Sequence, residues 1–388
     1  MKRIIFIVFQ LGLAVSACSN HDDPVIPGAE RINTYKPLIA GRSVGIVANQ
    51  TSVAGGMHVV DLLIREGISP KVIFAPEHGF RDLADAGEKI EDGKDRLTGI
   101  QVISLYGSHL KPAPDDLEGL DVVIYDIQDV GARFYTYIST LHYVLEACAE
   151  NGIKCIVLDR PNPNGFYFDG NIADTSRRSF VGMDPVPVVH GMTTGEYARM
   201  LNGEGWLRKG VRSDLTVIPC ENYTHGTYYE LPVRPSPNLP NQNSVYLYPS
   251  ICFFEGTNLS LGRGTPFPFQ VYGSPDLPDR GFSFTPDSMP GAKNPPLRGI
   301  KCYGRDLRNA IEDKLVPSPG LHLEWIIEAY RDYPFKDRFF TPYFDVLASG
   351  TLLREQIQKG MSAEEIKATW KEGLEKFAKI RSKYLLYN

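Results

Sequence analysis

Three short apolar runs in this chain each lead into a carboxylate and then a polar loop, and that arrangement narrows the fold more than any other feature. Val72-Ile73-Phe74-Ala75-Pro76 leads to Glu77, Val122-Val123-Ile124-Tyr125 to Asp126, and Cys155-Ile156-Val157-Leu158 to Asp159. β-Branched runs of this length, separated by helical patterns, read as parallel strands of an α/β sheet. Ligands of such sheets sit beyond the carboxyl ends of the strands. The pattern would bring three acids to one rim, where acids can move protons, and it points to an enzyme.

The same rhythm runs through the first half. Further strands are expected at 43–49 and 101–106, and helices at 59–65, near 139–150 and at 194–202, the last capped by Thr193 or Thr194. The polar stretch 78–99 is long for a strand-to-helix connection, and such loops usually serve function. Between 231 and 240 stand four prolines, which exclude regular helix. A division is expected near 245–255. It gives a Rossmann-like, mostly parallel α/β domain over 39–248 and a smaller α+β domain over 249–388, with helices at 321–331, 351–359 and 363–380.

The N-terminus reads as a targeting segment. Lys2 and Arg3 precede an apolar stretch, Ile4 to Val15, and then Val15-Ser16-Ala17-Cys18. This is similar to a bacterial lipobox, whose Cys becomes the lipidated mature N-terminus. The competing reading is an ordinary cleaved signal. Residues 1–18 are expected as signal and 19–38 as a tether, giving an exported, membrane-anchored lipoprotein. A net charge of −5 offers no basic excess for a nucleic-acid surface. Cys148, Cys155, Cys220, Cys252 and Cys302 follow no zinc or disulfide-scaffold spacing.

No dinucleotide glycine fingerprint, phosphate loop, zinc-protease helix or serine nucleophile elbow occurs. No cofactor and no metal are expected. Chemistry must then come from the strand tips. Glu77-His78-Gly79-Phe80-Arg81 offers an acid, an imidazole and a guanidinium. Packing of Glu77 on Phe80 would suit it to proton donation, whereas a Glu77–Arg81 pair would only shape the loop. Asp126 and Asp129 are candidates to share acid and base roles, and Asp129 is equally suited to capping backbone N–H groups. Arg133, Tyr135 and Tyr137 suit sugar recognition, since rings take the apolar sugar face and hydroxyls take hydrogen bonds. Asp159, Arg160 and Asn162 lie on a rigid proline-bounded turn, where Asp159 and Arg160 would either pair or touch ligand. Asn238, Glu255, Asn258 and Arg263 form a last polar cluster. Glu255 and Arg263 would pair with each other or face a ligand.

The strings PEHGFR, YDIQDVGARFYTY, LDRPNPNG, VHGMTTGE, RPSPNLP and FEGTNLSLGRGT, in this order, resemble the DUF1343 family of NamZ-type exo-β-N-acetylmuramidases, glycoside hydrolase family 171. The resemblance runs from about Arg42 to the C-terminus. One departure is Asp82, where the family often has Gly. The resemblance implies a Rossmann-like catalytic domain, a smaller C-terminal domain and a cleft between them. It implies removal of terminal β-1,4-linked N-acetylmuramic acid (MurNAc) from the non-reducing end of peptidoglycan fragments, with Glu77 as the acid. His190, in VHGMTTGE, joins the expected sugar contacts. Muramic acid carries a lactyl carboxylate, which a guanidinium binds as a fork, and Arg133, Arg160 and Arg263 are the candidates.

The expected partners are muramyl saccharides and a membrane, and oligomeric state is left open. The rival from another class is a non-catalytic lipoprotein that binds wall glycans. An acyl or amide hydrolase of wall peptides is disfavoured by the missing nucleophile–base motif.

Overall fold

The computed structural model describes residues 23–77, 79–81 and 93–388. The expected lipidation site Cys18 and the expected sugar contact His78 lie outside the described residues.

Six parallel strands organise the first part: β1 (Val44–Ala48), β2 (Val72–Ala75), β3 (Gln101–Ser104), β4 (Val122–Asp126), β5 (Lys154–Leu158) and β6 (Leu215–Ile218). Their order across the sheet is β3-β2-β1-β4-β5-β6. The segment Gly93–Lys94 pairs antiparallel on the outer edge of β3. β1 pairs with both β2 and β4, so the winding reverses there and leaves a crevice at the C-terminal tips.

Successive strand residues face opposite sides, and each side has its own core. Ile46, Ile73, Ile124 and Ile156 pack with Tyr35 and Ile39 of α1 (Ile32–Ile39) and with Leu62 and Leu63 of α2 (Val59–Arg65). Val47, Phe74, Val123 and Val157 pack with Leu141 and Leu145 of α3 (Tyr137–Asn151) and with Tyr197 and Leu201 of α4 (Thr194–Glu204). α3 ends at Gly152, whose φ of 65° is the left-handed conformation that glycine adopts at low cost. Thr193 caps α4 reciprocally with Glu196.

α5 (Gln242–Ile251) runs straight through the expected domain border, capped by Asn241. The second part carries a three-stranded antiparallel sheet of β7 (Val271–Ser274), β8 (Ser283–Phe284) and β9 (Cys302–Asp306), in the order β7-β9-β8. Helices α6 (Leu323–Asp332), α7 (Pro342–Leu347), α8 (Leu352–Gln358), α9 (Ala363–Ala368) and α10 (Lys371–Arg381) follow. The expected single helix at 363–380 is two, because the Thr369 hydroxyl bonds the Ile366 carbonyl and Trp370 turns into the core. One apolar cluster passes from α3 and α4 through α5 into α6–α10, which joins the two parts.

Residues inside the expected tether pack on the fold. Ile26 bridges to Glu221, and Ala29, Tyr35 and Ile39 are buried against the sheet. The five cysteines from Cys148 onward are free and buried.

Candidate active site

A cleft of about 210 Å³ opens at the strand tips. Its walls come from both parts: Glu77, Tyr106, Thr136, Tyr135, Tyr137 and Phe180 from the first, and Tyr248, Glu255, Arg263 and Tyr343 from the second, with Ser236 and Asn238 between them.

Glu77 stands two residues past the end of β2. Thr136 Oγ1 donates to its Oε2 at 3.0 Å, and Tyr106 lines the same cleft. Burial, and then the neighbouring Glu77 charge, push the Tyr106 pKa up. The Tyr137 hydroxyl lies 3.4 Å from the Glu77 carbonyl. Tyr135 and Tyr137 meet edge to face at 4.9 Å, and burial raises both hydroxyl pKa values. Gln50 Nε2 and the Tyr135 hydroxyl donate to the Pro235 carbonyl at 3.1 and 2.8 Å, which fixes the proline-rich segment over the tips. Asn238 is held there by its own amide, which donates to the Gly291 carbonyl at 2.9 Å.

Glu255 and Arg263 both pair and line the cleft. Arg263 Nε and Nη2 approach Glu255 Oε1 at 3.0 and 2.5 Å, and the guanidinium lies 5.0 Å from the Phe269 ring centroid. α7 packs so tightly on Gly256 that a Cβ there would lie 2.3 Å from the Phe344 Cα. Glu255 and Tyr343 are thereby presented from one rigid bracket.

The remaining expected site residues lie elsewhere. Arg81 is committed to Asp61, with Nη1 and Nη2 at 2.8 and 2.6 Å, and to Asp95 at 3.2 Å, so it does not pair with Glu77. Its hydrogen bonds hold the Asp61 carboxyl below the usual range. Phe80 packs on His58 at 4.8 Å, on the far side of the sheet from α3. Asp126 belongs to β4 itself, opposite Ala48, and is clasped by Arg160 in the interior. Asp129 is buried and accepts from the Gly131 N–H at 2.6 Å, the capping role, with His190 Nε2 at 3.5 Å. His190 is buried as well, its Nδ1 accepting from the Met192 N–H.

Asp159 is buried under donors from Tyr387, Thr193, Gly195 and its neighbour Arg160. Burial pushes its pKa up to about 6 against those donors. Asn162 bridges Met192 and Asn164 inside the fold. Arg133 is 1% exposed and donates to the carbonyls of Asn171, Val186 and Leu347. Burial lowers its pKa to about 10. Asn258 ties its amide to the Arg338 carbonyl.

The cleft therefore gathers Glu77, Tyr135, Tyr137, Asn238, Glu255 and Arg263 from the expected set, and adds Tyr106, Thr136, Phe180 and Tyr343. Thr136 lies in a loop that the sequence already marks. Tyr106 ends an expected strand. Nothing local distinguishes Tyr343 from other helical aromatics.

Residues 44–243 match the family model described as exo-β-N-acetylmuramidase NamZ, N-terminal, and residues 246–387 match its C-terminal counterpart. The chain is 38% identical over 374 residues to the peptidoglycan β-N-acetylmuramidase NamZ of Bacillus subtilis, covering 91% of this chain and 89% of the relative. A crystal structure of a DUF1343 family protein from Bacteroides fragilis superposes with a TM-score of 0.86 at 46% identity, covering 94% of this chain and 99% of that one. A second DUF1343 structure from the same organism gives 0.77 at 26% identity, with the same coverage.

Proposed function

The chain belongs to the NamZ family of exo-β-N-acetylmuramidases, and from that premise we propose that it is a glycosidase releasing terminal MurNAc from peptidoglycan fragments. The bond cleaved is the β-1,4 link at the non-reducing end. The observation that carries the reading is Glu77: a carboxyl at a strand tip, half-buried in a cleft walled by both parts of the chain, with no ion pair to it among the described residues.

In this reading Glu77 gives its proton to the glycosidic oxygen as the C1–O bond breaks and the electron pair passes to that oxygen; a water oxygen then bonds C1, and the proton that water sheds restores the Glu77 carboxyl. The rings of Tyr135, Tyr137 and Tyr343 offer apolar faces to the sugar. Arg263 takes the lactyl carboxylate. Of the three arginines first considered it alone lines the cleft, since Arg133 and Arg160 are spent on buried partners. Two of its nitrogens hold Glu255, which fixes the guanidinium in place.

The deciding experiment supplies a MurNAc–GlcNAc disaccharide and follows free MurNAc. Wild type releases it, while Glu77→Gln, folded and still binding the sugar, loses turnover by several orders of magnitude. Saturable binding with no product from wild type would instead mark a glycan-binding protein. We further propose that the chain is exported and tethered to a membrane through lipid on Cys18, supported by the sequence Val15-Ser16-Ala17-Cys18 after an apolar stretch.

A further inference from the structure

We propose that Thr136 is a positioning residue for Glu77: its hydroxyl, with the Tyr106 ring alongside in the cleft wall, fixes the direction of the carboxyl. This rests on the reading of Glu77 as the proton donor.

Two independent features of the fold produce the arrangement. The first is register. Ala75 of β2 pairs with Ser104 of β3, and the Leu105 N–H donates to the Ala75 carbonyl at 2.7 Å. Glu77 and Tyr106 each stand two residues beyond that pair, so parallel strands carry them out side by side. The second is a diverted cap. Thr136 immediately precedes α3, where a threonine hydroxyl ordinarily accepts a backbone N–H of the first turn. Here it makes no such bond and donates to Glu77 Oε2 at 3.0 Å instead.

The surroundings leave this task to a hydroxyl. Arg81 is turned away to Asp61 and Asp95, and Arg263 is paired with Glu255 across the cleft. Tyr137 reaches the Glu77 carbonyl, while Tyr135 and Tyr343 feel the Glu77 charge. Among the described residues, then, the hydrogen-bond donor to the carboxyl itself is Thr136. A proton held in an undirected carboxyl meets the leaving oxygen less often.

The test measures kcat and KM separately on MurNAc–GlcNAc. Thr136→Val is expected to lower kcat by roughly 10- to 100-fold with KM little changed, in protein whose thermal transition matches wild type. Thr136→Ser, which keeps the hydroxyl, restores kcat. An unchanged kcat in folded Thr136→Val, or an equal loss in Thr136→Ser, overturns the proposal. Activity surviving in Glu77→Gln would sink the proton-donor reading separately. Should Thr136→Val fail to fold, Thr136→Ala reads the same split of kcat from KM.

Discussion

Arg160 clasps Asp126 through two hydrogen bonds, Nε to Oδ1 at 2.6 Å and Nη2 to Oδ2 at 2.9 Å, and the two side chains are 2% and 0% exposed. An acid and a base that the sequence offers to a ligand are consumed by each other beneath the rim. Removing one partner leaves the other charge buried and unpaired, which costs far more than the pair contributes. Asp126→Asn or Arg160→Met should therefore destabilise the fold by ~3–5 kcal/mol. Urea denaturation would read this directly. An unchanged midpoint with lost turnover would return Asp126 to the catalytic set.

Arg263 should decide which sugar binds. In the Glu77→Gln background, calorimetry with free MurNAc and GlcNAc is expected to show a preference for MurNAc. Arg263→Ala should reduce that preference by roughly 10-fold or more, the worth of a charge-assisted bond to a carboxylate. GlcNAc affinity should change little. An equal loss for both sugars would mean that Arg263 supports the wall rather than reading the lactyl group.

His142 makes stability depend on pH. Burial pulls its pKa down, but the hydrogen bond with Asp184 and the nearby Glu146 carboxylate outweigh this and raise it from 6.5 to about 9. A raised folded-state pKa contributes stability that is complete below about 6.5 and is lost as pH climbs through about 9. Glu146 has the opposite sign. Burial pushes its pKa up, yet the nearby His142 ring and bonds from Lys111 and the Arg208 N–H lower it from 4.5 to about 2. Its contribution is complete above about 4.5 and is lost as pH falls through about 2. Melting temperatures of wild type should fall between pH 7 and 9 more steeply than those of His142→Gln. Parallel curves would refute the linkage.

The C-terminus is a strap. The Tyr387 hydroxyl donates to Asp159 Oδ2 at 2.6 Å and accepts from the Cys220 N–H at 2.8 Å. Tyr387→Phe keeps the ring, leaves the Cys220 N–H without its acceptor and takes one donor from Asp159, at an expected cost of ~1–3 kcal/mol. Chemical denaturation with the cleavage assay run in parallel would show lower stability and unchanged kcat in the folded fraction.

The proposed lipid anchor has a simple readout. Cys18→Ser should move the protein from the membrane pellet to the soluble fraction and abolish fatty-acid labelling. A wild-type protein that takes up no label would leave an ordinary cleaved signal as the better reading.

The strands were legible because their signal is local. An apolar run such as Val122 to Tyr125 must be buried whatever surrounds it, and Asn151-Gly152 stops α3 by its own conformational preference. The site was legible only where an acid clears its strand. Glu77 stands two residues past β2 and reaches the cleft, whereas Asp126 is still within β4 and Asp159 follows β5 directly. The adjacent Asp159–Arg160 pair suggested by the sequence formed with different partners. Arg160 turned to Asp126, and Asp159 to a tyrosine 228 positions away.

The chain's local chemistry thus determined a parallel sheet, the ends at which its acids gather, and a family of ordered strings that names a reaction. Which acid faces solvent was decided only by the assembled fold. Burial of a charge is settled by whatever the rest of the chain brings against it, as Arg160 meets Asp126, Arg263 meets Glu255 across eight residues, and Tyr343 closes the cleft from the second part. Sequence periodicity fixes a side chain's direction from its own backbone. It carries no information about the long-range partner that either neutralises that side chain or leaves it free to act.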